Sequence, residues 1–362
     1  MENYKILVIN PGSTSTKISV FHNNTEVHRE DILHNHEELK KYENVIEQEE
    51  FRYDSITSSL EKGGHNLLDF SIVMSRGGML RPMAAGIYEI NEIMLEDFRN
   101  AIGGEHGSNV GAFIANKIKV EKGIPAYIVD PITVDEMTPV ARVSGFKGIE
   151  RKSLSHALNI RRVAFLCADK LNKNLNELNF IIAHLGGGIS IAAMKQGKLI
   201  DVENANSLGA FSPERCGGLP FSEVIDLLDS GEYSSKELKR KLLTEGGIYS
   251  YLHTKDIREV EERIKSGDEK ARLILDAFIY QLSKGIGEMA TVLKGNVDKI
   301  IITGGIAYSN YVFEGLNENT SFISSVERFP GEAEMLGLAE SAMRLLEKRE
   351  IAKEYGEVVE SV

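Results

Sequence analysis

Apolar runs separated by turn-forming residues organise the chain. Ile6 to Ile9 is one such run and Ile18 to Phe21 another, with Asn10-Pro11-Gly12-Ser13-Thr14-Ser15-Thr16 and then Lys17 between them. Runs of this length predict buried strands, and the Pro, Gly, Ser and Asn between them predict a turn. Ile6 to Val27 thus reads strand, glycine turn, strand, polar turn, strand. Phe180 to Val202 has the same rhythm, with Gly186-Gly187-Gly188 as its first turn and Gln196-Gly197 as its second. A second echo follows in the same order. Asp69 to Leu80 runs a buried strand into Arg76-Gly77-Gly78, and Asp298 to Ser309 runs one into Gly304-Gly305. Two echoes in one order point to an internal duplication.

Helical patterns lie between these strands. Asp268 to Leu293 carries Ile274, Phe278, Leu282, Ile286 and Leu293 at helical spacing, with Gly295 where a C-terminal stop belongs. Leu336 to Glu347 reads as a further amphipathic helix. Strands alternating with helices imply α/β layers around mostly buried sheets. At 362 residues the chain exceeds one ordinary core. Two domains are expected, 1–143 and 144–335, with the C-terminal helical stretch 336–362 folding back on the first.

Composition narrows the class. The chain is 42% hydrophobic and 27% charged, and its net charge of −12 argues against a nucleic-acid partner, which wants a basic surface. A locally basic pocket for a small anion is compatible with it. Cys167 and Cys216 lie far apart, form no metal pattern and read as reduced thiols. The sequence enters a strand directly, so no signal peptide is expected, and no apolar run is long enough to span a bilayer. These features point to a cytoplasmic protein without a membrane partner.

The hydroxyl-rich turn has two readings. It suits a β-hairpin, and it lacks the spacing of a P-loop or a dinucleotide-binding turn. Its chemistry also suits an anion, because Gly12 allows close backbone approach and Ser13, Thr14, Ser15 and Asn10 can donate to phosphate oxygens.

Two α/β halves, each with a glycine turn between its first strands, resemble the superfamily of actin, sugar kinases, Hsp70-type ATPases and acetate kinases. That resemblance implies two duplicated ribonuclease H-like (actin-like) domains with a central nucleotide cleft. Asn10 to Lys17 resembles the Asn-x-Gly-Ser-Ser-Ser-x-Lys signature of acetate kinases, and AHLGGGISIA their His-Leu-Gly-x-Gly signature. ERCGG, Glu214 to Gly218, resembles the segment with a catalytic arginine, and VDPITVDEMTP the one with a catalytic aspartate. ITGGIA is similar to the adenosine loop, and PGEAEMLGLAES to the late segment with a magnesium-facing glutamate. The match covers nearly the whole chain in order. INPGSTSTK, SRGGML and SPERCGGLP resemble the butyrate kinase branch, which acts on longer acyl groups.

The implied reaction is ATP plus butanoate, or a related short or branched acid, giving the acyl phosphate and ADP, and its reverse. Joining two anions needs positioning and positive charge more than covalent help. The resemblance assigns that work to Arg76 and Arg215, with Asp130 orienting an arginine or Mg²⁺-bound water and His106 near the acid. Outside the family pattern, each arginine is an ordinary surface residue, and Asp130 a turn residue before Pro131. Nucleotide contacts fall on Asn10, Gly12, Ser13, Thr14, Ser15, Lys17, His184, Gly186, Gly187, Gly188, Gly304, Gly305 and Ile306. Lys17 could be turned away by alternation, and His184 is either a phosphate donor or a core histidine. Glu334, with Glu332 as competitor, would hold Mg²⁺ through water, alongside Asp130.

The chain also departs from the pattern. Acetate kinases carry Phe-His-Gly-Thr-Ser-His where this chain has Arg151-Lys152-Ser153-Leu154-Ser155-His156. Lys152 is expected to replace the first histidine's charge and His156 to be structural, unless Lys152 points to solvent. Lys255 and Asp256 fall in a changed nucleotide-proximal segment, which weakens their assignment. A sugar kinase of the same fold, needing a catalytic base for a hydroxyl, is the nearest rival, and an assembly ATPase the non-enzymatic one. A homo-oligomer, dimer or larger, is expected.

Overall fold

The computed structural model describes residues 3–204, 206 and 208–356. It divides into two compact units, Met1–Asp135 with Ala333–Val362, and Glu136–Glu332. The first boundary lies earlier in the chain than the 143 read from sequence, at the loop after the last strand of the first sheet.

In the first unit, β1 (Lys5–Pro11), β2 (Ser15–His22) and β3 (Thr25–Leu33) form an antiparallel meander. β4 (Ile72–Arg76) adds in parallel to β1, and β6 (Ala126–Val129) in parallel to β4. β5 (Ile87–Glu89) closes the edge antiparallel to β6, giving the order β3-β2-β1-β4-β6-β5. The Ile6 to Ile9 run is apolar at every position because β1 lies inside the sheet and is covered on both faces. Helix Val110–Lys122 and helix Glu334–Leu346 both pack on β1 and β4.

The second unit repeats the plan. β7 (Asn179–Leu185), β8 (Ile189–Lys195) and β9 (Lys198–Asn204) form the meander, and β10 (Lys299–Gly304) and β11 (Val326–Pro330) add in parallel on the other side of β7. The order is β11-β10-β7-β8-β9. The correspondence extends to a register irregularity in each second hairpin, between Val20 and Phe21 and between Ala193 and Met194. Helix Glu269–Val292 starts where the Asp268 side chain accepts from the Ala271 amide, and its Ile274, Phe278, Leu282 and Ile286 enter the core of this unit. No helix among the described residues is long and apolar enough to cross a membrane.

Candidate active site

In the first unit the glycine turn is the tight turn of the β1–β2 hairpin, whose strand pairing runs up to Pro11 and Thr16. The Gly12 amide donates to the Ser15 carbonyl at 2.8 Å. Ser13 and Thr14 are exposed, and neither donates to another protein group among the described residues. Thr16 is buried. Across the loop lies Gly107, and the space for a side chain there is taken, since a Cβ would sit 2.6 Å from Gly12 C and Ser13 N. The loop is therefore seated on the Glu105-His106-Gly107 turn. Alternation along β2 carries Lys17 to Asp31 on β3, 3.8 Å away and half exposed, so this lysine is a surface ion-pair partner and not one of the loop's donors.

Beneath the loop is a residue that sequence reading missed. Arg52, on helix Glu49–Lys62, is completely buried. Its Nη1 donates to the Gly12 and Ser15 carbonyls and to Thr16 Oγ1, each at 3.0 Å, and its Nη2 to the Ser13 carbonyl at 3.1 Å. Gln48 Oε1 accepts from Nε and Nη2 at 3.0 and 2.8 Å. Burial lowers the pKa of this guanidinium to about 10, which leaves it charged at neutral pH. His34 lies 2.8 Å from Thr16 Oγ1. Burial first, and the charge of Arg52 second, push His34 down to about 4. With Arg52 donating into Thr16 Oγ1, the threonine hydroxyl is left to donate to the neutral imidazole.

At the strand ends, Glu334 gathers two of the expected residues. Its carboxylate accepts from Asn10 Nδ2 at 2.8 Å and faces Arg76 Nη1 at 3.0 Å. Arg76 ends β4 and is only a quarter exposed, and its charge, after burial, contributes to a lowered His106 pKa. His106 Nδ1 lies 2.7 Å from Ser108 Oγ and accepts from the Ser108 amide, which fixes the ring. Asp130 follows β6, is buried and has φ 38°, a left-handed conformation that Asp tolerates better than most residues. One of its oxygens accepts from the Gly86 amide at 2.7 Å.

In the second unit, His184 on β7 is fully buried. It stacks on His156 with ring centroids 3.8 Å apart, and its Nδ1 is held by Asn159 Nδ2 at 2.9 Å. Its Nε2 has no hydrogen-bond partner among the described residues and lies 3.4 Å from where a Cβ on Gly186 would stand. Glu332 Oε1 approaches Nε2 at 2.5 Å, without the alignment of a hydrogen bond. His156 Nδ1 pairs with Ser190 Oγ at 3.0 Å. Arg215 lies beside this group, with its Nη1 3.0 Å from where a Cβ on Gly188 would stand. Ser212 Oγ donates to the Gly187 carbonyl and accepts from the Arg215 amide, tying the arginine turn to the glycine turn.

Two cavities of the second unit border these turns. One, of about 870 Å³, is lined by Gly186 and Gly187 from the first turn and by Gly305 and Ile306 from the later one, together with Lys255 and Asp256. Gly304 has φ 89°, and a Cβ there would stand 2.3 Å from the Leu185 carbonyl oxygen, so only glycine fits this close crossing. Lys255 Nζ pairs with Glu214 at 2.7 Å. The other cavity, of about 860 Å³, has Arg215 and Lys152 among apolar residues Ile149, Leu154, Leu208 and Leu243. Lys152 is exposed at its rim.

The donor sets differ in what metal they suit. Glu334 offers hard carboxylate oxygen and is a quarter exposed, which fits water-mediated contact to Mg²⁺. The His156, His184 and Glu332 donors lie within 4.8 Å of one another, but two imidazoles with one carboxylate suit a softer ion. The two glutamates thus sit in different settings, with Glu334 held by Asn10 and Arg76 and Glu332 held against His184.

The two repeated sheets have the acetate kinase fold. The Porphyromonas gingivalis acetate kinase superposes with a TM-score of 0.79 at 19% identity, covering 95% of this chain and all of that one. A propionate kinase from Francisella tularensis gives 0.76 at 18% identity, covering 93% and 98%. In sequence, residues 145–346 match the model of the acetokinase family. The chain is also 47% identical to "Probable butyrate kinase 2" of Caldanaerobacter subterraneus subsp. tengcongensis, over 98% of this chain and the whole of that protein. The chain belongs to the acetokinase family.

Proposed function

We propose that this protein is a carboxylic acid kinase that transfers the γ-phosphoryl group of ATP directly to butanoate, or to a related short or branched acid, and catalyses the reverse reaction. The observation that carries the reading is the single cavity lined by both Gly186-Gly187 and Gly305-Ile306, which are far apart in sequence and were assigned separately to phosphate and adenosine. Ile306 supplies an apolar wall for a base, and the glycines permit close approach. Family membership and the likeness to a butyrate kinase support the same reading.

In this reading the Asn10–Thr16 loop of the first unit binds phosphate oxygens through the Ser13 and Thr14 amides and hydroxyls. Arg76 and Arg215 offset the repulsion between carboxylate and phosphoryl group, each arriving with its backbone already fixed. Asp130 and Glu334 orient these charges, and Glu334 would hold Mg²⁺ through water. Mg²⁺, when bound, neutralises charge on the polyphosphate. The apolar walls beside Arg215 suit an aliphatic chain whose carboxylate meets the guanidinium, which favours butanoate-sized acids over acetate. The test is hydroxylamine trapping of acyl phosphate with ATP and a panel of acetate, butanoate, isobutanoate and glucose. ATP consumption without trapped product, or with glucose alone, removes the acid kinase reading. A higher kcat/KM for acetate than for butanoate removes only the chain-length assignment.

A further inference from the structure

Arg52 is the largest side chain that folding hides completely, and it is charged. A buried cation ordinarily has a carboxylate beside it. This one has none. Every group it touches is neutral: the carbonyls of Gly12, Ser13 and Ser15, the Thr16 hydroxyl and the Gln48 amide oxygen. Burial is the sole cause of its lowered pKa, so no acidic residue offsets the cost. His34, which can be neutral or cationic but never anionic, supplies no counter-charge, and the charge of Arg52 helps to keep it neutral.

Three carbonyls of the loop are thereby fixed by one guanidinium. Drawing the Gly12, Ser13 and Ser15 carbonyls to one side leaves the Ser13 and Thr14 amides and hydroxyls uncommitted, in exposed positions. We propose that Arg52 is a positioning residue and built-in counter-cation for an anion on the Asn10–Thr16 loop, its uncompensated charge being met by the polyphosphate of a bound nucleotide. This rests on the reading of that loop as a phosphate site. The guanidinium does two things through the loop: it fixes the donors, and it adds a positive potential in a poorly hydrated setting, where charge acts over longer distances than in water.

Gln48→Glu separates this from mere stapling. The change is isosteric and places a carboxylate where Arg52 Nε and Nη2 already donate, so it supplies internally the counter-charge assigned to the ligand. Isothermal titration with ATP and with adenosine, alongside thermal unfolding without ligand, reads the result. The expected outcome is an unchanged or raised Tm, an ATP Kd weakened about tenfold and an adenosine Kd unchanged. Equal or tighter ATP binding by Gln48→Glu would leave Arg52 as a structural staple and overturn the proposal. A Gln48→Glu chain that fails to fold would also overturn it, since an uncompensated guanidinium must tolerate a carboxylate partner. Arg52→Lys beside Arg52→Met supplies a second reading: charge without the fork should leave ATP affinity at least about threefold tighter in Arg52→Lys than in Arg52→Met, and equal ATP affinities of the two folded variants would contradict the charge role. If the parent itself binds adenosine and ATP equally, the phosphate reading of the loop fails, and that result is distinct from the others.

Discussion

Glu334 holds Arg76: the guanidinium Nη1 stands 3.0 Å from one carboxylate oxygen and 3.1 Å from the other, while Asn10 donates to the same group. The carboxylate therefore fixes the arginine at the end of β4 and an asparagine near the end of β1 at once. Glu334→Gln should lower kcat by about 10²–10³ and raise the Mg²⁺ concentration needed for half-maximal rate. Glu332→Gln, which acts on His184 instead, should change the Mg²⁺ requirement less. Metal titrations of both variants decide the matter, and the reverse order would transfer the metal role to Glu332.

Arg76→Ala and Arg215→Ala should each reduce kcat by about 10²–10³ with the fold intact. Neither arginine is buried, so Tm should change little. Near-normal turnover in a folded variant would remove that arginine from the chemistry.

Gly107→Ala tests the seat of the loop. A Cβ at 2.6 Å from Gly12 C and Ser13 N must push backbone aside, because neither contact is with a flexible side chain. Overpacking of this kind costs about 1–3 kcal/mol. The KM for ATP is expected to rise at least about tenfold, a larger effect than the loss of Tm would suggest. Unaltered ATP kinetics would show that the loop's shape is not needed for binding.

His34 gives stability a pH dependence whose sign follows from its lowered pKa of about 4. Between that value and the ordinary histidine pKa of about 6.5, the unfolded chain binds a proton that the folded chain refuses. Its contribution is thus fully present above pH 6.5 and is lost as pH falls towards 4, by up to roughly 3 kcal/mol. His34→Gln should flatten this part of the curve. Urea unfolding of parent and variant at pH 4.5 and pH 7 measures it, and identical pH slopes would show that His34 is not the group responsible.

Lys152 stands exposed at the rim of the Arg215 cavity, with no ion-pair partner among the described residues. Lys152→Met should lower kcat at saturating ATP by at least about tenfold, and Lys152→Arg should restore part of it. Parent-like turnover in Lys152→Met would assign the charge to Arg76 and Arg215 alone.

Both cysteines stay outside this chemistry. Burial raises the thiol pKa of Cys167 to about 11 and also raises that of Cys216, so both are protonated at neutral pH.

The repeated sheet and the glycine loops were legible in the sequence because they are local. Strand runs such as Ile6 to Ile9, a stop such as Gly295 and turns such as Gly186-Gly187-Gly188 obey short-range rules of sterics and periodicity. The order in which they recur is enough to expose the duplication. Partnerships are not local. Asn10 and Glu334 meet across 324 positions and Arg76 and Glu334 across 258, and the choice between Glu334 and Glu332 depends on which carboxylate the packed helix Glu334–Leu346 directs at β1 and β4. Lys17 looked like part of its loop until strand alternation turned it to Asp31. Arg52 was the hardest to see. In EEFRYDSITSSLEK it reads as one more charged position on an exposed helix face, and only the closure of the loop over it creates the carbonyls that make burying a guanidinium tolerable.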